Sequence, residues 1–222
     1  MKTRYVFTVL LLLTLSLLPL ASNLAYANAV PSLAGVKNLI HVPLTRQNTD
    51  YTCGITALQA ILGYYQIDKR LDVLAAEIKP DAEYGTNYIN MANYAASLGL
   101  KVSMRTGMTL EELKKHIDQK EPVLLAIQAW SDTKGSYGSY QSEDGHYVVA
   151  VGYDENNVYF MDPSTLGHYT YIPIAEFITR WHDYDSFENT PINRFGLILT
   201  KPQTAPYNHE IITTLDKFQK EI

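Results

Sequence analysis

The hydrophobic pattern of this chain changes period near Pro122, and that switch limits the folds open to it. Before Pro122 the apolar residues fall at helical spacing. After it they gather into short β-branched and aromatic runs separated by turn residues. Ile55, Leu58, Ile61, Leu62 and Tyr65 mark one face of a helix beginning at Gly54, with Cys53 in its first turn and Asp50 or Thr52 as its cap. Residues 71–78, stopped by Pro80, and 88–98, stopped by a left-handed Gly99, are two more helices. A short strand follows at 100–104. Thr109 caps a helix through Gln119, and Glu112 completes a capping box. Beyond Pro122, strands are expected at 123–130, 147–153, 158–161, 169–172 and 195–200, with a helix near 174–181. Helices followed by an antiparallel sheet define the α+β class. A length of 222 residues suffices for one sizeable core, and 46% hydrophobic with 18% charged residues excludes disordered and collagen-like chains.

The start of the chain reads as a targeting segment. Lys2 and Arg4 precede an apolar run of 16 residues from Val6 to Ala21, shorter than the roughly 20 a membrane span needs. Ala25, Ala27 and Ala29 then supply small residues at the spacing of a cleavage site. Residues 1–27 are therefore expected to be a secretory signal peptide cut near 27–29, with an uncleaved anchor as the alternative. Residues 28–40 are read as a linker, 41–201 as one folded domain and 202–222 as a tail or short helix. The mature protein is expected in the periplasm or outside the cell, with no stable membrane insertion. The formal charge of the full chain, −5, argues against nucleic acid as a partner, since counterion release needs a concentrated basic surface.

The chain has one cysteine, Cys53, which excludes an internal disulfide and any zinc site built from several thiolates. A lone cysteine is often only a small buried apolar side chain. Its place at a helix N-terminus favours a nucleophile instead, because unpaired N–H groups and the helix dipole stabilise a thiolate there. Gly54 leaves space for a substrate backbone. Gln47, six residues upstream, is either an ordinary polar side chain or an amide donor to an oxyanion beside the Cys53 N–H. His146 opens the apolar strand GHYVVAVGY, and Asp162 closes the next, in VYFMDPS. Counting across the turn at 154–157 leaves the two offset by about three residues, or ~10 Å. Their contact does not follow from register, and Asp144 and Asp154 are nearby alternatives to Asp162. His41, His116, His168, His182 and His209 have no metal-ligand spacing and read as surface or locally bonded. Trp130 is placed to line a cleft, and Trp181 to pack in the core with Phe177 and Ile178. The Gly/Ser/Tyr-rich loop 131–145 is either a flap over bound peptide or an insertion without a role.

Two segments carry a family resemblance. QNTDYTCGITALQAILGYY at 47–65 resembles the cysteine motif of the bacteriocin-processing peptidases, peptidase family C39. GHYVVAVGYDENNVYFMDP at 145–163 resembles that family's histidine and aspartate motif. GTNYINMANYAASLGLKV at 85–102 is similar to its intervening helix and strand, and IAEFITRW at 174–181 to its closing helix. The similarity runs from Val42 to Thr200 and makes 41–201 a C39-like peptidase domain. It implies a papain-like α+β fold, with N-terminal helices packed on a C-terminal antiparallel sheet. It also implies Cys53 as nucleophile, His146 as general base and acid, Asp162 as the residue orienting His146, and Gln47 as oxyanion donor. No metal or organic cofactor is called for.

The resemblance implies hydrolysis of a peptide or protein substrate through a thioester, after small residues such as Gly in the family's leader-peptide substrates. Thr52 stands where the best-known members carry an acidic residue. Those members are commonly fused to a transporter with an ATPase, so a free-standing exported relative, associated or not with a secretion system, is expected here. Two rivals share the same residues. One is an acyltransferase or transpeptidase that resolves the thioester with an amine; the other is a silent peptide-binding domain that assists secretion.

Overall fold

The computed structural model describes residues 32–130, 137 and 144–202. The expected signal peptide, the 203–222 part of the tail and most of the 131–145 loop lie outside them. The chain divides into two units at Gly35. The first carries, among its described residues, a single 3-10 turn at Leu33–Gly35. Every element that follows belongs to the second.

Four helices precede or flank the first strand: α1 at Cys53–Tyr64, α2 at Leu71–Ile78, α3 at Tyr88–Ser97 and α4 at Leu110–Asp118. A fifth, α5, spans Ile174–Arg180. Nearly every side chain of α1 is buried, as suits a helix enclosed on all sides. It packs on α2, α3 and the strand Gly145–Tyr153. Helix α4 starts as its sequence predicts: the Thr109 hydroxyl accepts from the Glu112 N–H, and the Glu112 carboxylate accepts from the Thr109 N–H. Helix α3 ends before Gly99, which takes a φ of +84°.

The strands are β1 Lys101–Arg105, β2 Val123–Gln128, β3 Gly145–Tyr153, β4 Asn157–Met161, β5 Thr170–Pro173, β6 His182–Asp185, β7 Thr190–Asn193 and β8 Gly196–Thr200. Six of them form an antiparallel sheet in the order β1-β8-β2-β3-β4-β5. Strands β2 and β3 are almost wholly buried, which explains their continuous apolar runs. Trp181 stacks on Phe177 at 4.9 Å and donates its indole N–H to the Phe195 carbonyl, a core role as expected. The stretch 28–40, read as linker, joins this core from Lys37 onward. Lys37 pairs with Tyr153, and the Ile40 N–H donates to the Val151 carbonyl at 2.7 Å.

Two features were not visible in sequence. One is the separate hairpin β6–β7, which packs beside β2 and β3. Its first strand reads His-Asp-Tyr-Asp, with no apolar alternation to announce it. The other is a β-bulge in β3. Ala150 pairs with Phe160 and Gly152 with Tyr159, so Val151 is an extra residue.

Candidate active site

Cys53 is the first residue of α1 and is 6% exposed. The helical ladder opens with the Thr56 N–H donating to the Thr52 carbonyl at 3.1 Å. The N–H groups of residues 53–55 therefore lie at the unsatisfied, electropositive end of the helix. The expected side-chain cap is absent: Thr52 occupies the N-cap position but does not cap. Its hydroxyl turns back into the preceding loop, bonding Asn48 and Thr49. At Gly54 a Cβ would meet Thr86 Cβ at 2.6 Å, so its smallness serves close packing at the helix start.

His146 is the second residue of β3, opposite Ile127 of β2, and is 2% exposed. Its Nε2 lies 2.8 Å from Asp162 Oδ1. The bulge at Val151 makes this contact possible. Without it, Asp162 would fall opposite Val149, three residues from His146 and on the other face of the sheet. With it, the register shifts by one, Asp162 follows Met161 to the level of Val148, and the two side chains share a face. Asp162 is further held by the Ser164 N–H and hydroxyl, both 2.8 Å from Oδ1, and by the Thr165 hydroxyl. Asp154 is committed elsewhere, accepting from the N–H groups of Asn156 and Asn157 in the β3–β4 turn.

With Nε2 engaged by Asp162, Nδ1 remains for the sulfur. Burial disfavours the imidazolium, but the hydrogen bond to Asp162, the hydrogen bond to Cys53 and the charges of both outweigh it, and His146 is pushed up to about 9. Burial likewise opposes ionisation of Asp162, yet the His146 bond and charge, then Ser164, hold it down at about 2. The surroundings thus favour the imidazolium form of the histidine, between a carboxylate and the sulfur. Trp130 tilts over the ring at 4.9 Å and shields it.

Gln47 is tied to the same corner, its N–H donating to the Pro163 carbonyl at 3.0 Å. Its side-chain Nε2 donates to the Thr49 carbonyl at 2.8 Å, while Oε1 is buried without a hydrogen-bond partner among the described residues. One amide hydrogen is therefore spent locally and the second remains. Of the other histidines, His116 is bonded at 2.7 Å to Glu121, and His182 is buried at the start of β6. His116 is thus locally bonded, within the reading given for it, whereas His182 is not a surface residue.

Two cavities flank this centre. One of about 230 Å³ lies against Cys53 and is walled by Tyr88, Gly145, Tyr147, Asp183 and Asp185. The other, about 390 Å³, lies against His146 and Asp162 and is walled by Trp130, Tyr171 and Arg180. Asp183 and Asp185, which the sequence reading did not single out, reach the site on β6. Asp183 accepts from Gln128 Nε2 at 2.9 Å, and Gly145 admits it: a Cβ at Gly145 would stand 2.6 Å from its Oδ1. Burial pushes Asp183 up to about 7, against the Tyr184 N–H, the His146 charge and Gln128.

A model of the Peptidase C39 like family matches residues 39–187. Two solved structures have the same fold. A candidate C39-like peptidase from Bacillus anthracis is 20% identical with a TM-score of 0.57, over 75% of this chain and 98% of that one. The peptidase domain of Streptococcus ComA, a bi-functional ABC transporter of a quorum-sensing pathway, is 18% identical with a TM-score of 0.52, over 72% of this chain and 98% of that one. No curated protein matches.

Proposed function

The chain belongs to the Peptidase C39 like family, and from that premise we propose that it is an exported cysteine peptidase acting on a peptide or protein substrate. The observation that carries this reading is the position of His146, hydrogen-bonded to Asp162 and close enough to Cys53 for both groups to favour its imidazolium form. In the proposed cycle the Cys53 sulfur, as thiolate, attacks the scissile carbonyl carbon. The developing oxyanion is met by the Cys53 N–H at the helix end and by the remaining Gln47 amide hydrogen. His146 then gives its proton to the departing amine as the C–N bond breaks, leaving a thioester. Water attacks the thioester, His146 takes its proton, and the S–C bond breaks to restore the thiolate and release the acid. Asp162 keeps the ring oriented and stabilises its charge, and Trp130 keeps water from their bond.

Export rests on the basic start, the 16-residue apolar run and the Ala-x-Ala exit. Among the described residues no helix is long and apolar enough to cross a membrane. The test is to incubate wild type and Cys53→Ala with the secreted proteins of the source organism and compare new peptide N-termini. New termini produced by wild type alone are expected. Identical sets would overturn the proposal.

A further inference from the structure

The sulfur-side cavity has a one-sided chemistry that peptide hydrolysis as such does not require. Among the described residues its wall carries four carboxylates, Asp50, Glu83, Asp183 and Asp185, and no lysine, arginine or histidine. Asp50 and Glu83 stand at the rim, but Asp183 and Asp185 are 7% and 5% exposed. Asp183 is engaged by Gln128 and by the Tyr184 N–H. Asp185 is engaged on one side only. Its Oδ1 accepts from the Phe187 and Glu188 N–H groups, whereas its Oδ2 is buried with no hydrogen-bond partner among the described residues. Burial, then the Asp185 charge and a loose hydrogen bond to that carboxylate, push the Tyr88 phenol up to about 12, but among the described residues no donor meets Oδ2 with full hydrogen-bond geometry.

An unpaired carboxylate oxygen in a cavity wall is costly unless something fills it. Among the described residues no three carboxylate, imidazole or thiol groups gather closely enough to hold a metal ion. An organic cation is the complementary partner, bonding Oδ2 directly and balancing Asp183.

The chemistry of the cycle says which part of a substrate reaches this cavity. The acyl half becomes bonded to Cys53, which lines it. The leaving amine is protonated by His146, which lines the other cavity. On the reading of the site as a peptidase, we infer that the Asp183–Asp185 cavity is a specificity subsite for a lysine or arginine side chain on the acyl side of the scissile bond. Asp185 receives the cationic head, Asp183 supports it, and Tyr88 and Tyr147 flank the aliphatic stem. This subsite would add a basic residue to the small residues expected at the cut.

The test uses pairs of quenched peptide libraries that differ only in lysine against its uncharged isostere norleucine at each position. Cleavage is measured with wild type and equilibrium binding with Cys53→Ala. Lysine is expected to be favoured roughly tenfold or more at one acyl-side position, the usual worth of a charge-assisted hydrogen bond. Asp185→Asn should abolish that preference. It keeps an Oδ1 for the Phe187 and Glu188 N–H groups, so the turn it holds survives, but it presents an amide to the cation. Glu83→Gln, at the rim, should leave the preference in place. Cleavage without a lysine preference, or a preference that persists in Asp185→Asn, overturns the subsite and leaves the peptidase intact. Lysine-selective binding to Cys53→Ala with no cleavage by wild type overturns the peptidase and upholds the subsite. Neither binding nor cleavage overturns both.

Discussion

Removing the partners of His146 one at a time should move its titration in calculable steps. The midpoint of about 9, against an ordinary 6.5, means that the fold favours the imidazolium by roughly 3 kcal/mol. Asp162 and then Cys53 supply this against the opposing effect of burial. Asp162→Asn keeps an acceptor near Nε2 but removes its charge, and should bring the midpoint down by about one pH unit. Cys53→Ala should lower it by a similar, about one-unit, step. In the double variant the two steps add, and the midpoint should return to about 7, close to that of a free histidine. The assay is ring-carbon NMR of labelled histidine, with the His146 signal identified by its loss in His146→Ala. A wild-type midpoint near the ordinary value, unmoved by either substitution, would refute the reasoning.

The same groups set the pH dependence of stability. Asp183 is raised from 3.8 to about 7, so between those values the fold holds a proton that the unfolded chain has lost, and stability falls as pH rises. His146, raised from 6.5 to about 9, contributes fully below the lower value and loses its contribution as pH climbs through the upper one. Asp162 acts in the other direction, its contribution complete above 3.8 and lost as pH falls through about 2. The thermal midpoint should therefore decline from mildly acidic to alkaline pH, and Asp183→Asn should flatten the acidic part of that decline. An Asp183→Asn curve parallel to wild type would contradict this. Gly145→Ala forces a Cβ to within 2.6 Å of Asp183 and should cost about 1–3 kcal/mol in urea denaturation; no loss would mean that the contact is loose. Thr109→Ala removes half of the α4 capping box and should cost about 1 kcal/mol in the same assay without altering turnover.

The fold was legible wherever local chemistry decides structure. The capping box at Thr109, the C-terminal Gly99 and the apolar runs of β2 and β3 are each written in adjacent residues. Cys53, His146 and Asp162 could be named because motif and family resemblance point to them. Why His146 and Asp162 touch could not be read, because the extra residue Val151 differs in no way from its apolar neighbours in β3. The bulge belongs to the packing of residues 37–40, whose backbone takes up the freed Val151 carbonyl. Strand β6 was missed for a related reason. His182, Asp183, Tyr184 and Asp185 look like a polar loop until β7 pairs with them, and with the strand went the two acids that shape the cavity beside Cys53.

The central claim is that Cys53, His146 and Asp162 act as one reactive unit. Its most direct measurement is the second-order rate at which a peptide-like electrophile labels Cys53 in the folded protein. Labelling well above that of a free thiol, and collapsing to the free-thiol rate in His146→Ala, is the outcome expected. A rate no greater than a free thiol's, or one that His146→Ala leaves unchanged, would contradict it.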